Sequence, residues 1–488
     1  MNLREASTQV KSLERLELET VSRPTQTLVR KLLGPDASFE DLEVMTMAVS
    51  RESDRLILED ALRTMSESFG DAVSIRGETY VQHEPGSVIY HSLCGPLAVI
   101  RSTYRQTGVR NGPTRVPLDL QAGLIERGTP AMAKAAALGY AKHDLRGVVE
   151  DLEAAHRAPP SRATMDRMAR RIAEQAHTEA PMIERTIRRQ ETLPEGAHGI
   201  VVGLDRGSVP MAEARPEGQS PATPRRIRTE PYERVPPPPF DVNWRMAPVA
   251  TVTLTDSKGE GLVTRRYAAS AAEGWEGIVK RAMADVKAAL QAKSDLGVAV
   301  VQDGAHELWA VTRAALATVP EVTNYNEAID RYHLSERLGK VLQIIEDDTA
   351  ARQVEYNLWQ MLLDTEVSGI DQIEAMILGA QKKLEKSEEL KKSEALNEHV
   401  TYIRNNKDRM RYVELRRRGL PVGSGSTESG CNTLLNLRVK RNAEHWSVEG
   451  LQGVLTLRGI HRSERFDPFW KNFAGGYRSK VMKLASAV

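Results

Sequence analysis

Ile200 to Leu204 is a short apolar run without lysine or glutamate, and Leu296 to Val301 is a second. Runs of this length fit strands buried on both faces, although periodicity alone does not separate them from a buried helical turn. Between them, Val249–Thr255 and Gly261–Tyr267 alternate around Asp256-Ser-Lys-Gly, the pattern of a hairpin. Ile278, Ala282, Val286 and Leu290 recur at helical spacing and mark a helix from about Trp275 to Lys293. A third candidate strand lies in Thr323–His333 and ends Asp330-Arg-Tyr-His. The order is strand, hairpin, helix, strand, strand, which places this part of the chain in the α/β class.

From Leu334 to about Arg418 the pattern is helical and highly charged, with an apolar stripe at Leu358, Met361 and Leu362 and a favourable pair from Glu388 to Lys392. It holds too little glycine and proline for a linker, so it reads as an all-helical insertion. Upstream, residues 1 to about 70 look helical, with a capped start at Ser38-Phe-Glu-Asp-Leu. Val73-Ser-Ile, Tyr80-Val, Ser87-Val-Ile-Tyr and Leu97-Ala-Val-Ile then suggest a small β module with turns at Gly77, Gly86 and Gly95. Helix returns from Leu118 to about Gln190. There Lys142–Ala155, Pro159-Pro160-Ser161 and Arg162–Ala176 give helix, turn, helix, with Ser161 as N-cap. Arg162, Arg167, Arg170 and Arg171 on the second helix suit a DNA-reading helix-turn-helix, and the same pattern suits a helical hairpin packed on its neighbours. Arg215–Phe240 is proline-rich and reads as an insertion or long extended loop.

At 488 residues the chain is too long for one core. Five segments are expected: a helical and small β module over 1–115, a helical, helix-turn-helix-like region over 116–190, an α/β core over 191–348, the helical insertion over 349–420, and the rest of the core over 421–488. Hydrophobic residues at 41% and charged residues at 27% describe a globular chain. No apolar run approaches a membrane span, and the first residues lack an apolar signal core. Two cysteines, Cys94 and Cys431, exclude a disulfide framework and a four-cysteine zinc site, so a reducing cytoplasm is the simplest compartment. The net charge of +1 leaves any nucleic-acid contact to local basic patches.

Two familiar motifs fail. Gly423–Gly430 lacks the Gly-Lys-Ser/Thr ending of a phosphate loop, and His306-Glu307 lacks a second histidine because position 310 is alanine. What stands out is a set of acids at element ends. Asp205 follows the first apolar run with Gly207 behind it, Asp303 follows the second with Gly304 behind it, and Glu428 falls in the first turn of a helix opened by the Gly-rich stretch. Singly, these are a solvated turn aspartate and a carboxylate favoured by a helix dipole. Together, three carboxylates in one site would raise each other's pKa unless divalent cations neutralised them, and hard oxygen ligands suit Mg²⁺ or Mn²⁺. Two such ions about 4 Å apart support cleavage and joining of phosphodiesters.

Gly203-Leu-Asp205-Arg-Gly, Val301-Gln-Asp303-Gly-Ala, Ile329-Asp-Arg-Tyr-His333 and Gly423-Ser-Gly-Ser-Thr-Glu428 resemble the catalytic stretches of DDE transposases from bacterial insertion sequences, with the closest likeness to the Kra group. The likeness spans roughly 199–470, and Val116-Pro-Leu-Asp119 with the helices after it also resembles the family's amino-terminal half. It implies a ribonuclease H-like mixed sheet with an all-helical insertion, and Asp205, Asp303 and Glu428 as catalytic metal ligands for two Mg²⁺ or Mn²⁺ ions. Asp330 and His333 match an aspartate-to-histidine motif that positions DNA or a protonated leaving group, or else form a polar pair at a strand end. DNA contacts are expected from Arg162 and Arg167, from the run Arg404, Lys407, Arg409, Arg411, Arg416, Arg417 and Arg418, and from Arg438, Lys440 and Arg441 on a helix reaching Trp446. Relatives often carry paired cysteines before the Pro-Leu-Asp stretch; here Arg105-Gln-Thr-Gly-Val-Arg-Asn-Gly stands there, and no zinc is expected. The expected activity is metal-dependent cleavage and strand transfer of double-stranded DNA by a homodimer or higher oligomer. A related nuclease without strand transfer, or a catalytically silent DNA-binding relative, is the alternative.

Overall fold

The computed structural model describes residues 6, 9–10, 15–34, 36–216, 218–219, 238–386, 389–441 and 444–484. The chain divides into two compact units, Met1–Ile172 with Lys471–Val488, and Ala173–Trp470. The boundary thus falls earlier than the expected 190/191, and the last residues return to the first unit. No helix is long and apolar enough to cross a membrane.

In the first unit, helix α1 (Arg15–Leu32) precedes α2 (Phe39–Glu67). Ser38 starts α2 as expected: its hydroxyl accepts from the Asp41 amide at 3.1 Å, and Asp41 accepts from the Ser38 amide at 2.8 Å. Strands β1 (Ala72–Ile75), β2 (Glu78–Ser92), β3 (Gly95–Gln106) and β4 (Thr114–Arg115) form an antiparallel sheet, with a last strand, Val481–Lys483, beside β1. Gly77 turns the chain at φ +86°, but Gly86 is no turn: it pairs with Arg101 in the middle of β2. A bulge between Gln82 and Glu84 lets that one long strand change direction without breaking. Tyr90, Leu97, Val99 and Tyr104 pack with Leu62, Phe69 and Leu118 to form the core.

Helices α3 (Pro117–Ala122), α4 (Pro130–Lys142) and α5 (Leu145–Ala154) follow. Helix α6 starts at Arg162 behind Ser161 as expected but runs on to Arg188, well past Ala176. The reason is its stripe: Met165, Met168, Ala169, Ile172, Ala176, Ala180, Ile183 and Ile187 are all buried at helical spacing, so the apolar face never stops.

The second unit is built on a mixed sheet. Strands β5 (Gly199–Ala214), β6 (Phe240–Thr255) and β7 (Gly261–Ala268) are followed by helix α7 (Glu276–Ala292), β8 (Gly297–Gln302), helix α8 (His306–Leu316) and β9 (Asn326–Ile329). The sheet order is β7-β6-β5-β8-β9. Only β6 runs against its neighbours; β5, β8 and β9 are parallel. The expected helix, β7 and β8 are present within a residue or two, whereas β5 runs ten residues past Leu204, β6 starts nine residues before Val249, and β9 is shorter than Thr323–His333. Most of the proline-rich stretch, 220–237, lies outside the described residues. Ile200, Val202, Val298 and Val300 join Ile278, Ala282, Val286 and Leu290 of α7 in one core, each large aliphatic side chain contributing about 1.5–3 kcal/mol.

The helical insertion comprises α9 (Arg331–Ile345), α10 (Thr349–Thr365), α11 (Gly369–Lys386), α12 (Leu390–Asn406) and α13 (Tyr412–Arg417). Trp359, Ile370, Ile373, Leu396 and Ile403 belong to the same apolar cluster as the sheet, so the insertion extends the core. Its stripe differs from expectation: Leu362 and Leu363 are buried, whereas Met361 is exposed. Glu388 lies outside the described residues, and Lys392 pairs instead with Glu389 and Asp347. Helix α14 (Gly425–Cys431) continues through a π turn, Asn432–Asn436, and ends at Val439. It does not reach Trp446, which is bound to the far half of β5 by hydrogen bonds to Pro210 and Ala212.

Candidate active site

Asp205 does not end its strand. β5 pairs with β6 from Gly199↔Thr255 to Ala214↔Phe240, whereas its pairing with β8 covers only Gly199–Val202. Burial breaks at Asp205 because β8 has left, and β5 continues as one half of a two-stranded ribbon. The register matters more than the ending. Gly199 faces Gly297 across parallel strands, an offset of 297 − 199 = 98, and 303 − 205 is also 98. Asp303, the first residue after β8, keeps that offset from Asp205, three residues beyond the last pair, Val202↔Val300. Nor is Gly207 a turn. A Cβ there would lie 2.7 Å from Leu435 Cδ1, so the missing side chain makes room for the segment after α14.

Gly304 does turn the chain, at φ +81°, and a Cβ on it would meet the Tyr402 hydroxyl at 2.6 Å. Asp303 Oδ1 accepts from the Ala305 amide at 3.0 Å, which closes this turn ahead of α8. Glu428 is delivered by close packing. A Cβ on Gly203 would lie 1.8 Å from Thr427 Oγ1, which is itself 2.8 Å from Thr251 Oγ1, so α14 sits directly on β5 and β6. Glu428 is the next residue along. Its Oε1 accepts from Ser424 Oγ at 3.3 Å and lies 3.8 Å from His333 Nδ1.

Asp330 and His333 come after β9 rather than closing it. Asp330 is the N-cap of α9 and His333 is in its first turn. Burial alone would raise the Asp330 carboxyl, but hydrogen bonds from the His333 ring and amide and from the Ser424 amide hold it down to about 2. The hydrogen bond to Asp330 in turn pushes the His333 ring up to about 9, against its partial burial and with help from Glu428 and Asp303. Asp330, His333 and Glu428 offer ligand atoms within 4.8 Å of one another. Asp205 and Asp303 are not drawn into so tight a group; the links are His333, which feels both Glu428 and Asp303, and Cys431, which feels both Asp205 and Glu428.

Cys431 is the residue that the sequence did not single out. Its thiol donates to Asp205 Oδ2 at 3.1 Å, while Oδ1 accepts from the Arg206 amide at 2.7 Å. Burial, then Asp205, pushes the thiol far above its ordinary value, so it stays a donor. Its position three residues after Glu428, one helical turn, was the available signal. Among the described residues, no lysine or arginine forms an ion pair with Asp205, Asp303 or Glu428. The nearby arginine Arg206 is taken by Glu307. Apart from the protonated His333 ring, these carboxylates have no cationic side chain paired with them, and hard oxygen donors of this kind fit a divalent cation.

The basic residues separate into spent and available. Arg404 pairs with Glu374 at 2.8 Å, Lys407 with Glu374 and Asp371, Arg409 with Glu327 at 2.6 Å, and Arg411 with Asp371. These pairs tie the helices of the insertion to one another and to β9, and a phosphate contact there would have to replace them. Arg416 pairs with Asp364 at 3.0 Å, and Arg418 donates to Asn326 at 2.7 Å; both remain exposed at the surface, as does Arg417. Arg438 is 2% exposed, with its guanidinium over the Trp446 ring, so it cannot reach DNA, contrary to the contact expected from the resemblance. Lys440 is half-buried beside Gly207, and Arg441 is exposed. Arg162, at the start of α6, and Arg167, opposite its buried stripe, are both exposed.

No protein-family model matches the chain, and no curated protein matches it.

Proposed function

We propose that this chain is a DDE-type transposase with a ribonuclease H-like catalytic core, cutting double-stranded DNA and joining the freed end to a target. The observation that carries this reading is the matching 98-residue offset of Asp205 and Asp303 just past the parallel β5–β8 pairing, with the Glu428 helix seated on the same sheet through Gly203 and Thr427. The strand order, with the second strand of the sheet alone antiparallel, supports the same fold. Asp205, Asp303 and Glu428 would hold Mg²⁺ or Mn²⁺, two ions in the full site, which supply Lewis acidity toward a phosphodiester.

The chain's own residues do the rest. Cys431 and the Arg206 amide fix both oxygens of Asp205, and the Ala305 amide fixes one of Asp303. His333 keeps a proton between Asp330 and Glu428. In the first reaction water attacks phosphorus and the P–O3′ bond breaks, leaving a 3′-hydroxyl and a 5′-phosphate. In the second that hydroxyl displaces a target 3′-oxygen. One P–O bond forms for each that breaks, so strand transfer needs no nucleotide fuel. Exposed Arg162, Arg167, Arg416, Arg417, Arg418 and Arg441 suit backbone phosphates. Handling two DNA ends takes at least two such sites, hence a homodimer or larger assembly on DNA.

The test is incubation of the full chain with DNA carrying the inverted repeats that flank its gene, in Mg²⁺ or Mn²⁺, beside Asp303→Ala. Cleavage and strand-transfer products from the wild type alone are expected. Equal activity in both proteins would remove the acid site, cleavage without joining would indicate a nuclease, and binding without cleavage a silent relative.

A further inference from the structure

Asp330, His333 and Glu428 are spaced like ligands of one cation, but the hydrogen bonds around Asp330 point elsewhere. Asp330 is 1% exposed, and both its oxygens are committed. Oδ1 accepts from the His333 amide at 2.8 Å and from His333 Nδ1 at 3.1 Å, and Oδ2 accepts from the Ser424 amide. Ser424 is the N-cap residue of α14, yet its side chain makes no capping bond and turns to Glu428 instead. A seven-residue helix behind a Gly-Ser-Gly run has little intrinsic tendency to form. Its start is tied down from β9: by Asp330 Oδ2 on the Ser424 amide, and by the Arg331 amide donating to the Val422 carbonyl at 3.0 Å. The Asp330 amide also donates at 3.0 Å to the carbonyl of Gln302, the residue before Asp303.

We infer that Asp330 is a positioning residue: its buried carboxylate fixes the starts of α9 and α14 together and thereby sets where His333 and Glu428 stand. A carboxylate accepting three N–H donors is a charge-assisted clamp rather than an open ligand. The activity and ion-count arms of the test rest on the function proposed above; the exchange arm does not.

Asp330→Asn keeps the shape but leaves one acceptor oxygen for three donors, so its amide group must face either Ser424 or His333. In the full chain, hydrogen exchange at amides 424–431 is expected to quicken about tenfold or more, with 200–204 unchanged. The number of Mn²⁺ ions bound, counted by electron paramagnetic resonance, should equal that of the wild type, while DNA cleavage falls and needs more Mn²⁺ for half its maximal rate. His333→Phe removes only the ring donor and should leave exchange at 424–431 as it was. One Mn²⁺ fewer in Asp330→Asn with unaltered exchange would make Asp330 a ligand and overturn the inference, as would unaltered exchange alone. Should Asp330→Asn fail to fold, Ser424→Pro deletes the same amide from the other side and must quicken exchange at 425–431. Absence of cleavage by the wild type would count against the transposase reading, while exchange still decides this one.

Discussion

The two five-stranded sheets of this chain treat their acids differently. In the first, every pairing is antiparallel, β1–β2 and β2–β3 are tight hairpins, and strand exits alternate between the two ends of the sheet. The acid packed on that sheet, Asp119, is closed off: Tyr90 donates to it, and burial pushes its carboxyl up. In the second, β5, β8 and β9 run the same way, so the chain leaves β8 and β9 at one end, just past the pairing of β5 with β8. Parallel pairing makes neighbours of residues 98 apart, and ligands in such sheets bind outside the carboxyl ends of the strands. An acid on an antiparallel hairpin sheet is a packing problem; acids at the exits of parallel strands can become a site.

The largest effect that sharpens this contrast is chemical. Asp205→Asn and Asp303→Ala should each lower Mg²⁺-dependent DNA cleavage by roughly 10³-fold or more while leaving DNA binding intact, and chelation with EDTA should match them. Asp119→Asn, assayed on the same DNA, should keep cleavage within a few-fold.

Glycines make the second comparison. Gly203→Val drives a side chain into Thr427 and should cost about 1–3 kcal/mol in urea unfolding, with cleavage falling further than stability because α14 is displaced. Gly86→Ala, in β2, meets open space and should change stability by less than about 0.5 kcal/mol. All six tryptophans lie in Ala173–Trp470, so their fluorescence reports the second unit alone.

That probe also reads the pH dependence. Asp330, depressed to about 2, contributes stability that is complete above its unfolded value of 3.8 and is lost as pH falls through 2; the shift corresponds to about 2 kcal/mol. His333, raised to about 9, contributes stability that is complete below 6.5 and is lost as pH rises through 9. The two share one hydrogen bond, so their contributions do not add. Asp330→Asn should flatten both limbs of a plot of unfolding midpoint against pH. Asp119, raised rather than depressed, acts with the opposite sign: above its unfolded value it costs stability.

The smallest effect concerns the surface. Arg417→Ala should leave stability within about 0.5 kcal/mol and reduce the salt slope of DNA binding by roughly one unit. The buried Arg438→Ala should instead destabilise the protein.

Much of the second sheet was legible because its patterns are local: the hairpin turn at Asp256-Ser-Lys-Gly, the helical spacing from Ile278 to Leu290, and the apolar run before Asp303. Asp205 was placed correctly in the chain but given the wrong reason, since pattern shows where a strand loses one neighbour and cannot show that it keeps another. Tertiary features stayed hidden. The Gly203–Thr427 contact, the thiol on Asp205 and the Asp330–Ser424 clamp join residues from 94 to 226 apart. Arg438 was expected on DNA from the likeness of the tail alone, and nothing local in the sequence shows that Trp446 covers it.

The order in which the acids occur has a consequence for synthesis. Glu428 follows Asp205 by 428 − 205 = 223 residues, with the whole helical insertion between them. A chain emerging from the ribosome, or one cut short before α14, carries both aspartates but lacks the glutamate and the thiol that clasps Asp205. On the function proposed above, such a fragment would lack one of the three acids of its metal site, so activity could arise only once α14 has been made.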